Sequence, residues 1–128
     1  MSILIDTSIW INYFRGTGDT EVVDLLIEED LVVTNDLILT ELLPPLHINK
    51  QKPIIKLLNE VKKYPISINW ENIKQMQIAC LWNGFNGIGI PDLIIAQNAT
   101  QNHLSLFSSD KHFTLISKLI PLSLYEPN

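Results

Sequence analysis

A single cysteine, Cys80, excludes an internal disulfide and any zinc cluster built from thiolates. Long apolar runs are missing too: nothing approaches the roughly 18 consecutive apolar residues that a membrane span needs. The opening MSILID lacks a basic segment and reaches an acid at position six, unlike a secretory leader. A cytoplasmic protein without membrane attachment is the expectation. Positive charge is also scarce. Nine Lys and Arg against fourteen Asp and Glu give a net charge of −5, the reverse of a basic nucleic-acid coat. No Gly-x-Ser-x-Gly elbow occurs, and Gly84, Gly87 and Gly89 lack the spacing of a dinucleotide or P-loop fingerprint.

What is present is apolar. With 46% hydrophobic residues in 128, the chain has enough material for one cored domain and too much for disorder. No repeat, linker or low-complexity segment divides it, so one domain over residues 1–128 is expected. Charge is unevenly distributed: residues 19–30 hold six acids and no base, whereas residues 50–63 hold five of the nine bases and only Glu60 as an acid. Both runs fit solvated helix faces, and the basic one is also a candidate for phosphate contact.

Short apolar runs alternate with helical patterns. Residues 1–5 read as a strand, followed by a turn at Asp6-Thr7-Ser8 and a helix carrying Ile9, Trp10, Tyr13 and Phe14. Thr20 fits the cap of a second helix, residues 31–34 a strand, and Asn35 the cap of a helix that Pro44-Pro45 ends or kinks. Pro53 suits a first helical turn. Residues 64–68 read as a strand, Asn69 opens the longest helix, and Ile90-Pro91-Asp92 begins one that is apolar on most sides. A strand at 104–107, a helix at 111–118 and a last strand at 122–124 complete the order. This alternation implies right-handed crossovers and an α/β fold, a mostly parallel sheet covered on both faces.

Four acids occupy informative places. Asp6 and Asp110 directly follow apolar strands, Asp92 starts a helix after a glycine-proline loop, and Glu41 sits inside the apolar segment ILTELL. Ligands of open parallel sheets bind outside the carboxyl ends of the strands, where such acids converge. Any one Asp there serves commonly as a helix cap. No base lies within four residues of Asp6, Glu41 or Asp92, however, and Glu41 is expected near the buried face, where it requires a positive partner. Carboxylates that crowd together need a shared cation, and Mg²⁺ or Mn²⁺ prefers oxygen ligands while keeping several waters. Such a site suits phosphodiester hydrolysis by an activated water, with no nucleophilic side chain. Cys80, in a Trp-containing helix, reads as a buried structural thiol. His47, His103 and His112 are scattered, and surface or capping roles are expected for them.

The segments MSILIDTSIWINYF, LILTELL, GIGIPDLIIAQNA and LFSSDKHF, in this order over the whole length, resemble the PIN-domain ribonucleases of the VapC toxin type. The resemblance implies a three-layer α/β/α domain, Mg²⁺- or Mn²⁺-dependent endoribonuclease activity on tRNA or rRNA, and a small antitoxin protein as partner. It also implies that Asp6, Glu41, Asp92 and Asp110 are the catalytic acids and hold the metal, with Asp6 and Asp92 as direct ligands. Thr7 and Ser8 match the residues after the first acid, and Ser108 stands where threonine is commoner, so these three hydroxyls orient carboxylates or water. After Glu41 the sequence departs from the pattern: LLPPLHINKQK lacks the usual glycine and arginine, leaving Lys50 or Lys52 to contact substrate. Trp10, Tyr13 and Phe14 suit either core packing or an antitoxin groove, and a homodimer is expected.

Other readings fit less well. An aspartyl-phosphate phosphatase needs a second Asp where Ser8 stands, and a receiver module needs adjacent acids at its first strand. The alternative within the family is a non-catalytic PIN module that binds RNA or protein, against which all four acids are retained. Setting those four aside leaves ten acids against nine bases, so the acidic total does not argue against an RNA substrate.

Overall fold

The computed structural model describes residues 1–127. Its elements run β1 (Ile3–Ile5), α1 (Thr7–Phe14), α2 (Thr20–Glu28), β2 (Val32–Thr34), α3 (Asp36–Ile48), α4 (Lys52–Glu60), β3 (Lys62–Lys63), α5 (Trp70–Trp82), α6 (Ile90–Gln101), β4 (Ser105–Phe107), α7 (Lys111–Ser117) and β5 (Ser123–Leu124). The strands form one parallel sheet in the order β3-β2-β1-β4-β5. From β1 the chain steps outward to β2 and β3, then returns to β4 and steps the other way to β5. The carboxyl ends of β1 and β4 therefore flank the switch point where a ligand crevice opens.

Right-handed crossovers in opposite directions fall on opposite faces. Accordingly α1 packs on α2 and α3, and α3 on α4, while α6 packs on α5 and α7. The result is the expected three-layer α/β/α fold. Ile3, Leu4 and Ile5 of the central strand are fully buried, as a strand covered on both faces requires. Cys80 is buried and free, as read from the sequence.

Three local expectations are corrected. The strand at 64–68 does not form; β3 is only Lys62–Lys63, which pair with Val33 and Thr34, and Tyr64 N donates to Thr34 O as the last sheet contact. Pro65 has no N–H to continue the ladder, and amide side chains of α6 take the carbonyls beyond it. Asn98 Nδ2 donates to Pro65 O at 3.1 Å, Gln101 Nε2 to Ser67 O at 3.0 Å and Gln97 Nε2 to Asn69 O at 3.0 Å. Next, of the two expected effects of Pro44-Pro45, ending the helix is overturned: α3 runs through both to Ile48. The two prolines remove the donors for the carbonyls of Thr40 and Glu41, but both residues are exposed, so solvent replaces those bonds. Finally, Thr20 is the first helical residue of α2, and Asp19 is its cap without a side-chain cap bond. Asn35 and Asn69 do cap α3 and α5, accepting from Ile38 N and Asn72 N.

Candidate metal centre

Asp6 leaves β1 and caps α1, which fixes its carboxylate at the end of the central strand. The residue is only 6% exposed. Its backbone N donates to Phe107 O, and its Oδ2 accepts from Ser8 Oγ at 2.8 Å and Ser108 Oγ at 2.9 Å. Those hydroxyls accept in turn: Ser109 N donates to Ser8 Oγ at 3.1 Å and Asp110 N to Ser108 Oγ at 3.0 Å. The ends of β1 and β4 are thereby joined through Asp6. Among the described residues no donor reaches Asp6 Oδ1, which leaves that oxygen for a cation.

Thr7 Oγ1, in the first turn of α1, donates to Glu41 Oε1 at 3.0 Å. Glu41 thus meets a hydroxyl where the sequence led us to expect a positive partner, and it is exposed, not set in the buried face. Ile38, Leu39 and Leu42 define the inward side of α3, and Glu41 is turned off that side toward α1. Its carboxyl is nevertheless pushed above the ordinary range by partial burial and by the charges of Asp6 and Asp92, with the Thr7 bond opposing.

Asp92 lies in the first turn of α6. Burial raises its pKa, as do the nearby Asp110 and Asp6, while His112 opposes the shift. The charges of Asp6 and Asp92 act on Glu41, and those of Asp110 and Asp6 on Asp92, so Asp92 is the acid that links the other three. Among the described residues no Lys or Arg forms an ion pair with any of them.

The residue that sequence reasoning missed is His112. Its Nδ1 lies 3.1 Å from Asp92 Oδ2 and 3.7 Å from Asp110 Oδ1. Asp110 caps α7, accepting from His112 N at 2.9 Å, so the histidine is tied to one acid by its backbone and to another by its ring. The signal was its position two residues after a capping acid. One donor atom each from Asp92, Asp110 and His112 lies within 4.8 Å of the other two. Asp6 and Glu41 lie outside this trio, whose oxygen and nitrogen donors fit a divalent cation; a cation there also offsets the carboxylate charges that add to burial in raising Glu41 and Asp92.

Lys50 and Lys52 stand exposed at the turn between α3 and α4. Glu41 lines a groove of about 420 Å³ between α1 and α3–α4, together with Ile11, Phe14, Leu46 and the sole arginine, Arg15. Trp10 is fully buried and stacks on Phe14, with ring centroids 5.6 Å apart, so its role is core packing.

The profile of the PIN domain matches residues 3–119. The chain belongs to the PIN domain family. No curated protein sequence matches it. Among solved structures, this PIN domain is similar to a chain of VapBC2 from Rickettsia felis bound to a DNA fragment from their promoter, with TM-score 0.76 and 19% identity over 100% of both chains. A chain of DNA-bound VapBC from Salmonella typhimurium gives TM-score 0.76 at 12% identity, covering 98% of this chain and 97% of that one. FitAcB from Neisseria gonorrhoeae gives 0.69 at 21% identity, with the same coverages. At these identities the likeness concerns the fold.

Proposed function

We propose that this PIN domain is a Mg²⁺- or Mn²⁺-dependent endoribonuclease and the toxin of a toxin–antitoxin pair. The observation that carries the proposal is that Asp92 and Asp110 offer donor atoms within 4.8 Å of each other and of His112, with Asp6 and Glu41 electrostatically coupled to Asp92 and, among the described residues, no Lys or Arg paired to any of the four acids. Asp6 and Asp92 are the principal ligands, with Asp110 and Glu41 completing the shell directly or through water. A divalent ion bound there supplies water activation and neutralises charge on the scissile phosphate.

The chain's own residues orient and exchange protons. Ser8 and Ser108 hold Asp6 Oδ2, and among the described residues Oδ1 has no protein donor. Thr7 occupies Glu41 Oε1, leaving Oε2 to accept a proton from the attacking water. Arg15, Lys50 and Lys52 contact RNA phosphates beyond the acids.

A structure of similar fold from Klebsiella pneumoniae, TM-score 0.59 at 22% identity over 86% of this chain and 88% of that one, is a toxin–antitoxin complex, which supports a small antitoxin protein as partner here. Ile11, Phe14, Leu42 and Ile54 give the groove an apolar floor suited to an amphipathic segment, and Glu41 at its margin puts such a segment against the site. A homodimer is part of the same reading. No described helix is long and apolar enough to cross a membrane.

The test uses the purified full chain, free of any partner, on total cellular RNA. Cleavage is expected on adding Mg²⁺ or Mn²⁺, absent in chelator, and absent from Asp6→Asn protein with an unchanged circular dichroism spectrum. Equal cleavage by Asp6→Asn in Mg²⁺ overturns the mechanism.

A further inference from the structure

We propose that His112 is a nitrogen ligand of the divalent ion and makes the site select a first-row transition ion such as Mn²⁺ over Mg²⁺. This rests on the metal-dependent reading above and goes beyond its four acids. The geometry is that of a shell missing only its centre. Neighbouring ligands of an octahedral ion with bonds of about 2.1 Å lie roughly 3 Å apart. His112 Nδ1 and Asp92 Oδ2 are 3.1 Å apart, His112 Nδ1 and Asp110 Oδ1 are 3.7 Å apart, and the trio stays within 4.8 Å.

The placement is enforced from two elements. Asp92 comes from α6, whereas Asp110 caps α7 and His112 lies in its first turn, and α7 packs on α6. The Asp110 cap bond anchors the His112 backbone, so the imidazole projects between the two carboxylates instead of into solvent. Asp110 Oδ1 accepts that bond with one lone pair and keeps another for the ion. All three side chains are partly buried, at 29%, 23% and 38% exposure for His112, Asp92 and Asp110. That burial leaves an entry path yet limits the number of waters the ion keeps.

Chemistry then decides selectivity. Mg²⁺ is hard, dehydrates reluctantly and gains little from nitrogen. First-row transition ions accept imidazole more readily than Mg²⁺ does, Mn²⁺ the least of them, so replacing one oxygen by nitrogen tilts the site toward them.

Titration calorimetry with MnCl₂ and with MgCl₂ on the full chain, with Asp92→Asn as control, separates the outcomes. The parent is expected to bind Mn²⁺ at least about tenfold more tightly than Mg²⁺, and His112→Ala to lose about tenfold in Mn²⁺ affinity with little change for Mg²⁺. Pulsed electron paramagnetic resonance of the Mn²⁺-loaded parent is expected to show nitrogen coupling that His112→Ala lacks; His112→Asn serves if the alanine variant does not fold. Absence of nitrogen coupling in the parent, or equal loss for both ions, reduces His112 to a hydrogen-bond donor positioning Asp92 and overturns the proposal. If the parent binds Mn²⁺ and Asp92→Asn does not, the metal-dependent reading survives that failure. If the parent binds neither ion, both readings fall.

Discussion

Ser108 Oγ donates to Asp6 Oδ2 at 2.9 Å, joining the end of β4 to the end of β1 across 102 residues of sequence. The contact holds one carboxylate oxygen and frees the other. Ser108→Ala is expected to leave the fold intact and lower both metal affinity and cleavage by about tenfold, the usual scale for losing an orienting partner. Ser108→Thr, which keeps the hydroxyl, is expected to retain most activity. Calorimetry and an RNA cleavage assay check both variants.

Asp92 and Glu41 link metal, pH and stability. Their folded pKa values lie above the ordinary 3.8 and 4.5, so the native state binds protons more tightly than the unfolded chain. Without metal, their contribution to stability therefore falls as pH rises from about 4 through the raised values. Asp92→Asn removes one such charge. In chelator its melting temperature is expected to exceed the parent's by a margin that widens across that window, and saturating Mn²⁺ is expected to reverse the order by stabilising only the parent. Thermal melts across the pH range, with and without the ion, measure this.

Arg15 shares its groove with Glu41, is exposed and makes no ion pair among the described residues. Arg15→Ala is expected to raise KM for RNA several-fold while leaving kcat near the parent value. It is also expected to flatten the dependence of log affinity on log salt by about 0.7, the value for one phosphate contact on single-stranded RNA. Filter binding across a salt series provides the measurement.

Asn98 ties the core to the segment after β3. Asn35 Nδ2 donates to its Oδ1 at 2.9 Å, and its Nδ2 donates to Pro65 O. Asn98→Ala leaves both partners without a bond inside the protein, and the expected cost is about 3 kcal/mol in urea unfolding.

The α5 face offers Ile78, Leu81 and Trp82 to solvent, with Trp82 88% exposed. No charged residue occurs between Lys74 and Asp92, so if the proposed homodimer forms through this face, its two copies would meet without like-charge repulsion from α5 despite a net charge of −5. Leu81→Glu is expected to convert a dimer to a monomer in sedimentation velocity, with the fold unchanged.

Local physics was legible in the sequence. Asn35, Asn69, Asp6 and Asp110 cap helices because a short polar side chain reaches N–H groups two or three residues ahead, an interaction written within one turn of chain. Asp92 at the start of α6 and the alternation that yields a parallel sheet were readable for the same reason. The tertiary structure decided what depends on which elements become neighbours. Whether Trp10 faced a groove or the core, whether Glu41 met a cation or a hydroxyl, and whether residues 64–68 paired with the sheet or were held by α6 amides all turned on partners tens of residues away. His112 is the clearest case. Its ring meets Asp92 because α7 packs on α6 beside the strand-order reversal, and only the crossovers of the sheet bring those helices together.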